Sequence, residues 1–320
     1  MIRKPGSSPR QSRLWLAVCA AGISCFGHPA GAETAGQSPL AQPTPVRVDA
    51  EGSLFLDYQP RIVNGCPVAP GKAPWQVAVT APASDRPGRL LCGGSYLGDG
   101  WVVTAAHCVA GATQDASLIG VGFGDVVLSG RRTIYATGVT VHPQYHAGTL
   151  RNDIALVRVQ PREATSAIAL VDDVGGDDIA AFRDETLRVY GFGARSEGGR
   201  NEDRLQVGAV GFVDHESCNG PQRYDGDVVV EQMFCAQGKA GASLTCPGYA
   251  SALVSDACVM DSGGPLVVGE GTAARLVGLV SWGHGCGNPR KPGVYTRLGR
   301  YRTWIAAQMA NHATADTTPR

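Results

Sequence analysis

Beyond Arg61 the chain is built of short apolar runs, among them Trp75-Gln76-Val77-Ala78-Val79, Trp101-Val102-Val103, Ile134-Tyr135-Ala136 and Leu187-Arg188-Val189-Tyr190, separated by Gly, Pro and Asp turns. Runs this short, at this spacing, predict an all-β sandwich or barrel. The stretch 171–178, VDDVGGDD, is acidic and glycine-containing and divides the strand-rich chain into two comparable parts. Two β-barrels joined by that connector are therefore expected. Only residues 301–311 combine good helix formers with an absence of Gly and Pro, with Trp304, Ile305, Gln308 and Met309 spaced to form one apolar face. They predict a single C-terminal helix, followed by a flexible tail over residues 312–320. Gly120, Gly122 and Gly124 imitate a nucleotide-binding loop, but no helix pattern follows them, only Asp125-Val126-Val127-Leu128. They are read as a turn between strands.

The segment before residue 62 has a different character. Arg3, Lys4, Arg10 and Arg13 precede or border an apolar run over residues 14–26, and Ala30-Gly31-Ala32 follows it, the order of a secretory signal with an A-x-A cleavage site. The run is interrupted by Gly22, Ser24 and Cys25 and falls short of the roughly 20 residues a spanning helix needs, which makes a membrane anchor the poorer reading. Val18 before Cys19 and Gly22 ahead of Cys25 make poor lipoprotein signals. Residues 1–32 are thus read as a signal peptide, and export to an extracellular or periplasmic space is expected. Residues 33–61, with prolines at 39, 43, 45 and 60 and no sustained apolar period, read as a propeptide, and residues 62–311 as the folded domain. Lys plus Arg and Asp plus Glu balance at 28 each, so no overall field draws the protein to nucleic acid or an anionic membrane. A monomer is expected.

Of the ten cysteines, Cys19 and Cys25 fall in the signal. The remaining even set, Cys66, Cys92, Cys108, Cys218, Cys235, Cys246, Cys258 and Cys286, reads as disulfides formed in an oxidising compartment. No CxxC or HExxH motif occurs and the histidines do not cluster along the sequence, so no catalytic zinc is expected.

Peptide hydrolysis by an alcohol needs a nucleophilic oxygen, a base for its proton, an acid that holds the base in one tautomer, and donors for the oxyanion. Ser262 stands in Asp261-Ser262-Gly263-Gly264-Pro265, where the glycines allow the tight backbone that exposes a nucleophile. His107 stands in Thr104-Ala105-Ala106-His107-Cys108, and Asp153 in Asn152-Asp153-Ile154-Ala155-Leu156. A lone His is usually structural and a lone Asp usually a turn residue; the conjunction of all three motifs decides. With Ser281-Trp282-Gly283 and Lys291-Pro292-Gly293-Val294-Tyr295, they resemble the chymotrypsin and trypsin family of serine proteases over about residues 62–305.

That resemblance implies two six-stranded antiparallel β-barrels with a C-terminal helix, and endopeptidase activity on protein or peptide substrates with no cofactor. It implies Ser262 as nucleophile, His107 as general base and then acid, Asp153 as the orienting carboxylate, and the backbone N–H groups of Met260 and Ser262 as the oxyanion hole. Ser281, Trp282 and Gly283 would pair with the extended substrate backbone, while Trp282 and Leu150 shape subsites ahead of the scissile bond. Asp256 takes the position at the base of the primary pocket, where a carboxylate pairs with Arg or Lys of the substrate, and Gly283 and Gly293 take the wall positions that admit a long side chain. Residues 236–255 are an insertion ahead of that pocket. Arg61-Ile62-Val63-Asn64-Gly65 resembles the family's activation site. A cut after Arg61, by an activating protease or by the enzyme itself, would free an Ile62 ammonium to pair with the buried Asp261 and order the pocket. The implied disulfides are Cys92 with Cys108, Cys218 with Cys235 and Cys258 with Cys286, which leaves Cys66 with Cys246. The family's acidic calcium loop has no counterpart, since residues 119–142 hold only Asp125 as an acid, so no metal is expected.

Met260 departs from the family's Gly-Asp-Ser-Gly-Gly-Pro pattern at a tight position that favours glycine. Losing one oxyanion donor costs about a hundredfold to a thousandfold in rate; if the donor is kept, the Met side chain narrows the substrate range. Two other functional classes remain: a feeble homologue that uses the same surface as a binding module, and an esterase, which the missing G-x-S-x-G elbow opposes.

Overall fold

The computed structural model describes residues 46–48, 54–56, 65–80, 89–124, 126–161, 165–172, 179–193, 203–238, 255–257, 261–285, 287–288 and 290–315. The chain divides into two compact units, residues 5–59 and the remainder. In the smaller, β1 (Val46–Val48) and β2 (Leu54–Leu56) form an antiparallel hairpin. Composition predicts no element there, because runs of three residues are too short to register as an alternation.

In the larger unit the N-terminal sheet follows the order β8-β7-β4-β5-β6-β10-β9. Its members are β4 (Gln76–Thr80), β5 (Leu90–Gly98), β6 (Trp101–Thr104), β7 (Gly120–Phe123), β8 (Arg132–Tyr135), β9 (Gly138–Val141) and β10 (Ala155–Arg158), while β3 (Cys66–Pro67) joins the other sheet through β13 (Gln206–Val213). Only Ala136 and Thr137 separate β8 from β9; the Ala136 N–H bonds the carbonyl of Ile119, just ahead of β7, and the Thr137 N–H that of Arg158 in β10. The two are halves of one bent strand, which closes the ring into a six-stranded barrel. The second barrel runs through β12 (Leu187–Gly191), β13, β14 (Met233–Gln237), β17 (Gly293–Arg297), β16 (Arg275–Trp282) and β15 (Pro265–Val268) back to β12, with β11 (Ala169–Leu170) parallel to β16 at its margin.

Strand alternation between two apolar surroundings explains why β4, β6, β7 and β17 are buried along their whole length. Val77, Val79, Val102, Ala155 and Val157 fill the first barrel, and Leu187, Val189, Val210, Phe234, Leu266 and Tyr295 fill the second. The intervening residues Ala78, Val103 and Leu156 face outward and join Leu205, Val267 and Leu279 in a third apolar layer between the barrels. Gly120 and Gly122 lie inside β7 and not in the expected turn; a Cβ on Gly120 would come within 2.5 Å of Thr80 Oγ1 and 2.7 Å of Thr133 Cγ2. Gly124, φ +114°, is where that strand ends.

The helices are α1 (Ala106–Val109), α2 (His215–Cys218), capped by Asp214 on Ser217 N, and the C-terminal α3 (Arg302–Ala315). The expected helix is present but runs on past Asn311 to Ala315, into the stretch expected to be a tail. Ala313 and Ala315 sustain it and the first proline beyond is Pro319. Among the described residues no helix is long and apolar enough to cross a membrane. Cys92–Cys108 ties β5 to α1 and Cys218–Cys235 ties α2 to β14, as expected. Cys66 is disulfide-bonded. Cys246, Cys258 and Cys286, and most of the expected connector 171–178, lie outside the described residues.

The barrels meet backbone to backbone. Gly93 N donates to Ser262 O at 2.8 Å, and Thr104 Oγ1 donates to Gly93 O at 2.8 Å. A Cβ on Gly93 would stand 2.8 Å from Gly264 Cα. Gly93→Ala is therefore expected to cost about 1–3 kcal/mol by overpacking, read as a lower urea midpoint. Gly111→Ala, whose new methyl meets nothing within 4 Å, should leave the midpoint unchanged. Equal midpoints for the two variants would contradict so tight a seam.

Candidate active site

Each element delivers one side chain to this seam. His107 enters with α1, directly after β6; Asp153 ends the loop before β10; Ser262 ends the loop before β15. Asp153 is 1% exposed and its carboxylate collects three donors: His107 N at 3.0 Å on Oδ1, and His107 Nδ1 at 2.8 Å and the Ser281 hydroxyl on Oδ2. Thr296 Oγ1 bonds its carbonyl at 2.8 Å. A carboxylate only accepts, so the imidazole hydrogen resides on Nδ1 and the lone pair on Nε2. That Nε2 is buried and has no hydrogen-bond partner.

Ser262 is 4% exposed. Gly263 after it adopts φ +72°, and a Cβ there would lie 2.2 Å from Thr104 Oγ1 and 2.9 Å from Ala105 N. Only glycine lets the serine turn press against the strand that leads into His107. Ser262 Oγ makes no hydrogen bond to Nε2 in this structure; such bonds are commonly long in unliganded sites and tighten with substrate. Asp261 is fully buried and accepts Gly193 N at 2.8 Å.

The fold and these motifs have relatives. The trypsin family profile matches residues 62–305. The chain belongs to the trypsin family. A trypsin of Blomia tropicalis, Blo t 3, is 36% identical over 249 residues, covering 76% of this chain and 84% of that protein. Transmembrane protease serine 11E of Mus musculus is 35% identical over 251 residues, covering 77% of this chain but 54% of the mouse protein.

Of the other residues expected at a trypsin-family site, Leu150 and Trp282 share one buried cluster with Tyr224 and Val294, and the Trp282 and Tyr224 rings meet edge to face at 4.9 Å. Gly283 is buried beside Trp282, and Gly293 pairs with Ala236. Ser281, expected to meet substrate, also binds Asp153. Met260, Arg61 and Ile62 lie outside the described residues.

The loop that carries Asp153 has supports that motif reading missed. Asn152, in the left-handed region at φ +51°, receives the Tyr301 hydroxyl on Oδ1 at 3.0 Å, donates through Nδ2 to Gln144 O, and sends its backbone N–H to Gln232 Oε1 at 3.1 Å. Asn152 sits in the quoted motif, but Gln232 and Tyr301 carry no local signal. Burial and the Asp153 charge raise the pKa of both Tyr145, to about 12, and Tyr301, so both hydroxyls stay neutral.

Asp256 is 2% exposed; Oδ2 accepts Gly287 N at 2.8 Å, whereas Oδ1 is buried without a partner. Burial pushes its pKa up to about 7. The folded protein therefore binds this proton more tightly than the unfolded chain, so the group's contribution to stability falls as pH rises from about 4 through about 7. Asp256→Asn should gain stability relative to wild type across that window and level off above it, measured by urea midpoints in a pH series. A constant difference would contradict the raised pKa.

Proposed function

We propose that this protein is an exported zymogen of a serine endopeptidase that cleaves after Arg or Lys. The observation that carries the reading is the buried His107–Asp153 pair, which leaves an unpartnered Nε2 at the seam where the Ser262 turn is packed. Ser262 Oγ attacks the scissile carbonyl and passes its proton to His107 Nε2. The Asp153 carboxylate stabilises the resulting imidazolium, and the N–H groups of Ser262 and Met260 hold the oxyanion. His107 then protonates the leaving amine, giving an acyl-enzyme, and takes a proton from water as that water attacks. Collapse of the second intermediate frees the acid and returns the proton to Ser262.

Asp256 supplies the specificity. Its unpartnered Oδ1 is an acceptor that only a donor-rich side chain can satisfy, and a guanidinium or ammonium also restores the charged form that burial disfavours. The same preference makes Arg61-Ile62 a substrate for the enzyme itself. Cleavage there supplies the Ile62 ammonium to Asp261. The signal-like N-terminus and the disulfides support export into an oxidising space. Substrates are proteins or peptides, with no cofactor.

Protein cleaved after Arg61 is expected to hydrolyse a chromogenic Arg-amide peptide, whereas the uncleaved form and Ser262→Ala should not; turnover that survives Ser262→Ala would sink the reading. Asp153→Asn should lower kcat by about 10⁴-fold, the loss known for a triad whose histidine is put in the wrong tautomer. KM for the Arg substrate should climb as pH falls below about 7, and an unchanged KM would separate Asp256 from substrate binding.

A further inference from the structure

Phe192 lies between Gly191 and Gly193 at the end of β12 and is 1% exposed. Both glycines abut the Asp261 carboxylate: a Cβ on Gly191 would stand 1.9 Å from Oδ1, and one on Gly193 2.5 Å from the same atom. The Gly193 N–H bonds that oxygen directly. Whatever holds Phe192 therefore also holds the cradle of Asp261.

The hold comes from the other barrel. The Arg131 guanidinium carbon stands 4.7 Å from the centre of the Phe192 ring. Arg131 Nη1 donates to Gln76 O in β4 at 2.8 Å and to Gly122 O in β7 at 3.1 Å, so the cation is anchored on the first barrel while it faces a ring of the second. The same loop grips the chain again where β13 begins. Val127 pairs with Arg204, Leu205 N donates to Val126 O, and Ser129 N and Oγ both bond the Asp203 carboxylate at 2.8 Å. Residues 126–131 thus clip the second barrel on both sides of the stretch 194–202.

We infer that Arg131 is a positioning residue for Asp261. Stacked on Phe192, it keeps Gly191 and Gly193 against the carboxylate and thereby sets how tightly the cleaved enzyme retains the Ile62 ammonium. This rests on the activation step proposed above. The role belongs to the charge over the ring as well as to the volume of the side chain, which gives it a signature distinct from packing.

The test compares cleaved wild type, Arg131→Met, Arg131→Lys, Phe192→Leu and the Arg131→Met/Phe192→Leu double variant for carbamylation of the Ile62 amine by cyanate. Cyanate reaches that amine only when it leaves its site, so the rate reads the opening equilibrium. Arg131→Met keeps an apolar stem without the charge and should react about fivefold to tenfold faster. Lys, which can still place a cation over the ring, should recover most of the protection, and the double variant should be no worse than the poorer single one. Any loss of Arg-amide turnover should appear in KM and not kcat, because substrate binding pulls the pocket back into order. A purely structural role would lower the urea midpoint and leave Ile62 as protected as in wild type. Wild-type protection in Arg131→Met, or additive losses in the double variant, would overturn the inference. Should Arg131→Met not fold, Phe192→Leu tests the contact from the other side. A wild-type Ile62 amine that reacts as fast as a free peptide would overturn the activation step, and this inference with it.

Discussion

Two backbones touch at Gly93 and Ser262, and the chemistry depends on that contact. His107 belongs to the first barrel and Ser262 to the second, so no local structure relates them. Their relation is fixed by the Gly93 N–H on the Ser262 carbonyl, by Thr104 on Gly93, and by a Gly263 conformation that an ordinary side chain would disrupt. A side chain inserted into this seam would move Ser262 and His107, the proposed nucleophile and base, apart, and a displacement near 1 Å already costs about a hundredfold in rate. The third apolar layer between the barrels, with Val103, Leu156, Val267 and Leu279, supplies the rigidity behind the seam.

Two buried carboxylates are handled in opposite ways. Asp153 is surrounded by donors from His107 and Ser281, and its loop is pinned through Asn152 to Gln232 and Tyr301. Asp256 is left with one oxygen unsatisfied and a pKa pushed to about 7. The first arrangement is complete within the protein itself and orients the His107 ring, the base of the proposed mechanism. In the proposed function the second is finished by the cationic side chain of the substrate, which would offset on binding the cost of burying the carboxylate.

Short motifs made much of this legible. Strand-length runs and turn residues announced the all-β fold, and the helix formers after Tyr301 announced α3. The residues of the proposed triad stood out because TAAHC, NDIAL and DSGGP each keep the candidate residue beside the residues that shape its local backbone. What stayed hidden depends on contacts between distant parts of the chain. Gly120 and Gly122 resembled a turn because glycine signals turns locally, yet close packing with Thr80 and Thr133 puts them in a strand. Gln232 and Tyr301 are far from Asn152 in the sequence, and only the fold brings them to it across 80 and 149 positions. Nothing in the sequence around Arg131 points to Phe192, whose ring the fold places beneath the guanidinium.

The most direct measurement is mass-spectrometric mapping of the residue modified by a fluorophosphonate in protein cleaved after Arg61. One label on Ser262, lost in His107→Ala, is the expected result, because the serine becomes nucleophilic only with Nε2 to take its proton. No label in folded, cleaved protein, or labelling of Ser262 that is indifferent to His107, would contradict the assembly of His107, Asp153 and Ser262 into one working site.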